Sequence, residues 1–350
     1  MQNIKIGKKE IGLEQPVFFI AEGGVNHNGN IDLAFKLIDE AVIAGADCIK
    51  FQTFKAENLV TQNAPKADYQ LKVTDKAESQ FKMLKDLELP FEDYERIIKY
   101  CKEKDILFLS TPYNFEDVDF LDKLDVDAFK IASGQLVEPP FLAYVAKKNK
   151  PIILSTGMGY LSDVDEAVRT IRGAGNDQLI LLQCVTNYPA LAYESNLRAM
   201  NTIQQSTGCI VGYSDHTEND VSILGSVALG AKVIEKHFTL DKKMKGPDHK
   251  CSADPQELKE LIEKVRLLES ALGDGIKKPT DSEIANSKGM RRSLVLNGDF
   301  KKGHVLQAGD IGFKRPSSEI SIGEYEEFLG KELSEDLNKD TILKLKHVRW

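Results

Sequence analysis

Two histidines late in the chain, at the ends of two successive apolar stretches, are candidate metal ligands. His216 lies in the sequence GYSDHT and His237 in VIEKHFTLD, each at the end of a strand-sized apolar stretch. Neighbouring strands lie about 4.8 Å apart, so imidazoles at adjacent strand ends can converge on one point. Imidazole suits Mn, Fe, Co or Zn, and two protein ligands leave positions open for water and substrate oxygens. A single histidine there would be expected only to hydrogen bond, whereas the pair predicts a divalent metal site.

Ionisable side chains also lie at or near the ends of other apolar stretches. Glu22 ends the first stretch, and Lys50, Lys130 and Lys236 lie near the ends of three later ones. A carboxylate in such a place can be a general base, and we predict that role for Glu22. The formal net charge of −8 argues against a general affinity for nucleic acid or anionic membranes. An anionic substrate would therefore need a local concentration of cations, which the three lysines could provide.

Two further groups are expected to support these side chains. Ser155, Thr156 and Gly157 directly follow the fifth apolar stretch, and hydroxyls with free backbone N–H groups at a strand end suit a phosphate. Glu235 lies two residues before His237, so strand alternation places both on one face, with Glu235 one layer deeper. We expect Glu235 to support the histidine rather than to react.

Eight apolar stretches between Phe18 and Phe238 must position these residues. They are rich in Ile, Val, Leu and Phe and lack polar alternation, which is typical of parallel strands covered on both faces. Helical patterns separate them, such as one capped by Asn30 and one that runs from Asp254 to Gly273. Eight alternations in roughly 250 residues predict a (β/α)8 TIM barrel. An open doubly wound sheet is the alternative, but the turn EGGVNHNG lacks the GxGxxG spacing of that fold.

Two segments depart from this alternation and divide the chain. The polar insertion from Lys55 to Pro90 is expected to cover the barrel mouth, with a helix near Glu78 to Leu87. Residues 275–289 are rich in Gly, Lys, Ser and Pro and are predicted to be a linker. The linker would join a catalytic barrel of residues 1–274 to a small, turn-rich β domain of residues 290–350.

The cysteines and the hydropathy predict a cytoplasmic protein. The five cysteines are dispersed and form no CxxC pair, which indicates reduced and mostly buried thiols. The first fifteen residues are polar and basic, unlike a signal peptide, and no apolar stretch approaches the length of a transmembrane helix. We therefore expect neither membrane nor nucleic acid as a partner.

Longer motifs carry a resemblance to a known family. In chain order the sequence reads AEGGVNHNG, KFQTFKAENL, STP, FKIASG, STGM, GYSDHT, ALGAKVIEKHFTLD and GPDHK. In this order the motifs resemble the sialic acid synthase family over nearly the whole chain. The segment after Arg291, with KKGHVLQAGDI and KRP, resembles the antifreeze-like (SAF) domain that ends those enzymes.

The resemblance implies a transferase of the N-acetylneuraminate synthase type, EC 2.5.1. It would condense phosphoenolpyruvate with the open-chain aldehyde of N-acetylmannosamine and release N-acetylneuraminate and phosphate. A divalent metal, Mn²⁺ or Mg²⁺, would be held by His216 and His237 and would polarise the aldehyde, while Glu22 would help to activate water.

The family pattern also assigns the substrate contacts. The residues expected to hold phosphoenolpyruvate are Lys50, Thr111, Lys130, Ser133, Ser155, Thr186 and Ser214. Asp248 would bind sugar hydroxyls, and Tyr188 would line the pocket. The partner subunit's Arg315 would reach the acyl group of the sugar, which implies a domain-swapped homodimer.

One residue departs from the family pattern and leaves the acceptor open. Many members read SGE where this chain has Ser133, Gly134 and Gln135. The glutamate is expected to contact the sugar, so Gln135 would keep a hydrogen bond and lose a charge. The alternatives are 2,4-diacetamido-2,4,6-trideoxymannose, which would give N,N'-diacetyllegionaminate, and a phosphorylated sugar.

Two alternatives to this chemistry follow from the same residues. A metal-free Schiff-base aldolase would use Lys130 or Lys50, and borohydride would trap its covalent adduct, whereas EDTA would inactivate a metal enzyme. A glycan-binding or ice-binding protein with a structural barrel would leave the paired histidines unexplained.

Overall fold

The structure, a computed structural model, describes residues 2–67, 70–71, 74–75 and 78–350. It divides into two compact units, Met1–Gly273 and Asp274–Trp350. The first unit begins with an antiparallel hairpin of strands β1 (Ile4–Ile6) and β2 (Lys9–Ile11).

Eight parallel strands form the body of the first unit. They are β3 (Phe18–Gly24), β4 (Cys48–Thr53), β5 (Leu107–Pro112), β6 (Phe129–Ile131), β7 (Ile152–Ser155), β8 (Leu179–Cys184), β9 (Ile210–Asp215) and β10 (Val233–His237). Their hydrogen-bonded order is β5-β4-β3-β10-β9-β8-β7-β6, and β5 and β6 lie side by side at the seam. This arrangement confirms the predicted (β/α)8 barrel.

The strands are apolar on both faces because a separate core lies on each side of them. Inward side chains such as Ile20, Leu109 and Leu182 pack with Ile6 and Ile11 of the hairpin, so the hairpin takes part in the core inside the barrel. Outward side chains pack against the surrounding helices in a second, larger core. Polar residues lie at the carboxyl ends of the strands, outside these two cores.

Helices follow the strands and complete the barrel. Those that the described residues of the first unit form are Ile31–Ala44, Ala56–Leu59, Gln80–Leu87, Phe91–Glu103, Phe115–Lys123, Pro139–Ala146, Leu161–Gly173, Arg198–Thr207, Val221–Ala228 and Pro255–Leu272. The predicted caps are confirmed, because the Asn30 side chain accepts from two backbone N–H groups and Asp254 forms a capping box with Glu257. None of the helices that the described residues form is long and apolar enough to span a membrane.

The insertion after β4 contains the predicted helix, which extends over Gln80–Leu87. Met83 and Leu87 of this helix are buried together with Val25 and Phe54. Apolar burial therefore fixes this part of the insertion on the barrel rim. The insertion prediction also falls on residues 68–69, 72–73 and 76–77, which lie outside the described residues.

The second unit is small and has its own core. Strand β11 (Ser293–Leu296) pairs antiparallel with β12 (Ile311–Lys314), and β13 (Glu332–Leu333) with β14 (Val348–Arg349). A short helix, Tyr325–Phe328, contributes Phe328 to an apolar cluster with residues of these strands.

The segment predicted to be a linker contains a helix. Asp281–Met290 is helical, has no buried residue, and begins with a capping box between Thr280 and Glu283. The sequence pattern T-x-x-E signals this helix start, although the composition of the segment suggested only a linker.

Candidate active site

A cavity of about 130 Å³ opens at the carboxyl ends of the barrel strands, and we call it the strand-end cavity. Each barrel strand, or the loop after it, contributes to its lining. The predicted site residues that line it are Glu22, Lys50, Thr111, Lys130, Ser133, Ser155, Thr186, Tyr188, Ser214, His216 and His237. The structure therefore brings most of the predicted site together.

Two buried lysines and two buried glutamates form an ion-pair cluster on one side of this cavity. Lys50 Nζ lies 2.7 Å from Glu22 Oε2 and 3.8 Å from Glu235 Oε2. Lys130 Nζ lies 3.5 Å from Glu235 Oε1. All four side chains are at most 5% exposed, so their charges interact with little screening by solvent.

Hydroxyl groups complete the cluster. Lys50 donates to Thr111 Oγ1 at 3.0 Å, and Lys130 donates to Ser155 Oγ at 2.8 Å. The Ser214 hydroxyl donates to Glu235 Oε1 at 2.9 Å. Two cations with serine and threonine hydroxyls at strand ends can bind a phosphate or a carboxylate.

The pKa values of the two glutamates are shifted in opposite directions. Burial raises the pKa of Glu22 to about 7; the charge of Lys50 opposes this shift and that of Glu235 adds to it. Burial would also raise the pKa of Glu235, but the charges of Lys130 and Lys50 outweigh burial and lower it to about 2. Glu235 therefore stays ionised as a counter-ion, whereas Glu22 can exchange a proton near neutral pH.

The paired histidines converge as predicted. The ring centroids of His216 and His237 lie 5.4 Å apart, at the ends of the neighbouring strands β9 and β10. His216 Nδ1 lies 2.6 Å from the carbonyl oxygen of Val185, which makes Nδ1 the protonated nitrogen and leaves Nε2 as a ligand atom. His237 Nδ1 is buried and has no hydrogen-bond partner. An unsatisfied buried imidazole nitrogen beside a second imidazole fits a metal ligand pair.

The protonation of the histidines bears on metal binding. Burial lowers the pKa of His237 well below its ordinary value, with a further contribution from His216, so His237 is in the neutral form that binds metals. Burial also acts to lower the pKa of His216, but Cys184 and the Val185 carbonyl outweigh it and the pKa is raised. A cation would therefore compete with a proton at His216. Within the described residues no group of three or more His, Cys, Asp or Glu side chains surrounds a potential metal position.

A second cavity, of about 240 Å³, adjoins the first, and we call it the insertion-side cavity. Four residues line both cavities: Gln52, Tyr113, Tyr188 and His237. The Tyr188 ring lies 4.0 Å from the His216 ring and 5.8 Å from the His237 ring, measured between centroids. A ligand that reaches the histidine pair can therefore extend from one cavity into the other.

Asp248 lies in the insertion-side cavity. Burial raises its pKa to about 6, and the charge of His216 opposes this shift. Asp248 is in position to bind polar groups of a ligand that occupies this cavity.

Three predicted residues lie elsewhere. Gln135 lies in a 3₁₀ helix, Ser133–Val137, directly after β6; it is buried with an unsatisfied Oε1 and lines neither cavity. Arg315 is exposed and follows β12 in the second unit. The prediction that three lysines belong to the site is wrong for Lys236. Its Nζ lies 2.6 Å from Asp215 Oδ2, and its side chain lines a different cavity.

Several residues that line the strand-end cavity were not predicted from the sequence, among them Gln52 and Tyr113. Gln52 Nε2 lies 3.5 Å from Glu22 Oε1, and Gln52 Oε1 accepts from the Tyr113 hydroxyl at 3.2 Å. Both residues end or follow an apolar stretch, so the strand-end position that identified Glu22 would also have identified them. Their lack of charge is the reason that they were missed.

Gly157 has a steric role at the strand-end cavity. Its backbone N–H donates to Ser133 Oγ at 3.0 Å. A Cβ atom at this position would lie 2.4 Å from Thr186 Oγ1 and 2.8 Å from Ser133 Oγ. A larger residue at this position would therefore displace the hydroxyls of Thr186 and Ser133.

Comparisons with known proteins agree with this architecture. A family model described as the NeuB family matches residues 37–277, and one described as the SAF domain matches residues 291–349. The chain is 48% identical over 327 residues to the N,N'-diacetyllegionaminic acid synthase of Campylobacter jejuni subsp. jejuni serotype O:2, covering 93% of this chain and 98% of that protein. It is 41% identical over 346 residues to the protein of the same name from Legionella pneumophila subsp. pneumophila, covering 98% and 97%.

A solved structure gives the same result. The N-acetylneuraminic acid (sialic acid) synthetase from Leptospira borgpetersenii serovar Hardjo-bovis, in complex with citrate, matches with a TM-score of 0.73 and 33% identity, over 81% of this chain and 95% of that chain. Fold and matches together define a (β/α)8 barrel enzyme class that carries a C-terminal SAF domain. The chain belongs to the NeuB family, the family of the sialic acid synthases. The predicted family and the predicted SAF domain are confirmed.

Proposed function

We propose that the protein condenses phosphoenolpyruvate with 2,4-diacetamido-2,4,6-trideoxymannose to give N,N'-diacetyllegionaminate and phosphate. The observation that supports this proposal most strongly is that the ion-pair cluster and the two histidines line the same strand-end cavity. The cluster suits a compact anion, and His237 also lines the insertion-side cavity, into which a longer acceptor would extend.

Phosphoenolpyruvate would occupy the strand-end cavity. It carries a phosphate and a carboxylate, and Lys50 and Lys130 supply two buried cations for them. The hydroxyl of Ser133 after β6, the hydroxyl of Ser155 at the end of β7 and the close turn at Gly157 add donors beside these lysines. This arrangement explains how a chain of net charge −8 can bind an anion.

A divalent metal, Mn²⁺ or Mg²⁺, would be held by His216 and His237. The unsatisfied His237 Nδ1 and the free Nε2 of His216 fit two ligand atoms of such an ion. When bound there, the metal would supply Lewis acidity for the aldehyde of the acceptor. The remaining chemistry depends on the protein's own side chains.

The reaction forms one carbon–carbon bond and one carbon–oxygen bond, the latter from water, and breaks the carbon–oxygen bond to the ester oxygen of phosphoenolpyruvate. Carbon 3 of phosphoenolpyruvate attacks the aldehyde carbon of the acceptor, the aldehyde oxygen takes up a proton and becomes a hydroxyl, and water adds at carbon 2. Glu22, with a pKa of about 7, accepts the proton of that water. The bond between carbon 2 and the ester oxygen then breaks, phosphate leaves with the ester oxygen, and the new hydroxyl on carbon 2 loses its proton to become the ketone. Lys50 Nζ lies 2.7 Å from Glu22 Oε2 and holds the Glu22 carboxylate in place.

The choice of acceptor follows from the relatives. N-Acetylmannosamine and the trideoxy sugar are both N-acylated mannose derivatives with an open-chain aldehyde. Two relatives that match nearly the full chain, at 48% and 41% identity, are named N,N'-diacetyllegionaminic acid synthases. We therefore favour 2,4-diacetamido-2,4,6-trideoxymannose over N-acetylmannosamine, with Asp248 and Tyr188 as its contacts in the insertion-side cavity.

We also propose a domain-swapped homodimer in which the partner subunit's Arg315 approaches the acyl group of the acceptor. Exposed apolar side chains lie on loops that follow barrel strands, and Met158, Tyr160 and Tyr193 are each more than two-thirds exposed. A partner subunit would cover such side chains. Sedimentation equilibrium should give the mass of two chains, and a monomer at micromolar concentration would contradict the dimer.

We propose that the enzyme works in the cytoplasm. Its five cysteines are all free and buried, which suits a reducing compartment. Fractionation of the producing cells should recover the protein with cytoplasmic markers, and recovery outside the cytoplasm would contradict this location.

Phosphate release with an acceptor panel tests the function. The enzyme is incubated with phosphoenolpyruvate, Mn²⁺ and, in turn, N-acetylmannosamine, its 6-phosphate and 2,4-diacetamido-2,4,6-trideoxymannose. The trideoxy sugar is expected to give the highest kcat/KM and a product with the mass of N,N'-diacetyllegionaminate. Preference for N-acetylmannosamine would replace the proposed acceptor, and the absence of phosphate release with all three would refute the condensation itself.

A further inference from the structure

The insertion-side cavity has an apolar wall that the catalytic residues do not explain. Leu59, Val60, Met83 and Leu84 line this cavity but not the strand-end cavity. All four come from the insertion between β4 and β5. Leu59 and Leu84 are half-buried and pack on the buried cluster that contains Val25 and Met83. The wall is thus supported from behind by its own small core.

The polar groups of the same cavity are fewer and partly engaged with one another. Gln80 Nε2 donates to Gln70 Oε1 at 3.2 Å, and the same oxygen accepts from the Ala67 backbone N–H at 3.0 Å. Asp248 provides a carboxyl group. A ligand therefore meets polar groups at some points of this cavity and only hydrocarbon along the wall.

The direction of the acceptor follows from the residues that the two cavities share. Its aldehyde carbon must meet phosphoenolpyruvate beside His237 and Tyr188, which line both cavities. The rest of its carbon chain then extends into the insertion-side cavity, with carbon 6 farthest from the reacting atoms. The wall residues line this cavity and not the strand-end cavity, so they lie on the side where the distal end of the chain is expected.

We infer that Leu59, Val60, Met83 and Leu84 form a specificity wall that contacts carbon 6 of the acceptor and selects a methyl group over a hydroxymethyl group. This inference rests on the proposed function and names the residues that set its substrate class. A hydroxyl pressed against hydrocarbon loses its hydrogen bonds to water without replacement. Apolar pockets reject an added hydroxyl by about 10-fold to 100-fold in kcat/KM, which is the preference expected here.

The test uses two acceptors that differ only at carbon 6: N-acetylmannosamine and its 6-deoxy analogue. The wild-type enzyme should prefer the 6-deoxy sugar by about 10-fold or more in kcat/KM. Leu84→Gln should reduce this preference at least threefold, because its amide can hydrogen bond to the 6-hydroxyl, whereas Leu84→Met should retain it. Leu267→Gln makes the same change at an exposed helical position and should leave the preference at the wild-type value. Val60→Thr, an isosteric change, repeats the test if Leu84→Gln does not fold.

The outcomes separate this inference from the proposed function. Equal kcat/KM for the two sugars, or a preference that both polar wall variants leave unchanged, would overturn the specificity wall while leaving the condensation intact. No phosphate release with either sugar or with the diacetamido trideoxy sugar would instead refute the proposed function, and the inference with it.

Discussion

Replacing Glu235 by Gln should lower the free energy of unfolding of the barrel, because the mutation removes the favourable interaction of the ionised carboxylate with Lys50 and Lys130. The pKa of Glu235 falls from 4.5 to about 2 in the fold, so the shift is 4.5 − 2, or about 2.5 units. At about 1.36 kcal/mol per unit, the ionised carboxylate contributes about 3 kcal/mol. Because the folded pKa is lowered, this contribution is present above pH 4.5 and is lost only as the pH falls towards 2. It is therefore fully present at pH 7.

The change should appear as a lower melting temperature. For the barrel unit, an unfolding entropy of about 2.1 cal/mol/K per residue converts about 3 kcal/mol into a decrease of about 5 °C. Differential scanning calorimetry at pH 7 measures this shift. Glu166→Gln, the same chemical change on an exposed helix position, is the matched control and should alter stability by less than about 0.5 kcal/mol. Equal melting temperatures for Glu235→Gln and the control would refute the counter-ion role.

Other predictions concern the remaining groups of the site. Since Glu22 must be ionised to act as a base and has a pKa of about 7, log kcat/KM should rise with unit slope up to about pH 7. This slope should be absent in Glu22→Gln, and its persistence there would assign it to another group. His216→Ala and His237→Ala should each lose measurable Mn²⁺ binding by calorimetry, and unchanged affinity would remove the histidines from the metal site. Gly157→Ala should weaken phosphoenolpyruvate binding about tenfold because its Cβ collides with Thr186 Oγ1, as overpacking costs about 1–3 kcal/mol. Gly173→Ala, where a Cβ meets open space, should bind normally, and equal affinities would contradict the steric role of Gly157.

The fold was predictable because buried parallel strands produce a simple pattern. Apart from polar residues near their carboxyl ends, the barrel strands are apolar on both faces, and this pattern is visible in the sequence without knowledge of partners. The helix starts at Asn30 and Asp254 were predictable because their caps are local. Thr280 offered the same kind of local signal, which the composition of the surrounding segment obscured.

The site was predictable where a side chain ends a strand, and less so where a loop begins. Strand alternation separates Lys236 from Glu235 and His237, so Lys236 faces the other side and pairs with Asp215. The position of Lys236 could have been predicted from strand alternation, but the three lysines were grouped only by their nearness to strand ends. Gln135 could not be placed in the same way, because the 3₁₀ helix after β6 has no periodic signature in the sequence.

The fate of the ester oxygen of phosphoenolpyruvate tests the proposed condensation most directly. Phosphoenolpyruvate labelled with ¹⁸O in the bridging ester oxygen is incubated with the enzyme, Mn²⁺ and 2,4-diacetamido-2,4,6-trideoxymannose. The isotopic content of both products is then measured by mass spectrometry. The proposal predicts one labelled phosphate for each unlabelled nonulosonic acid, because the bond between carbon 2 and the ester oxygen breaks. Unlabelled phosphate, or labelled phosphate without a nonulosonic acid, would contradict it.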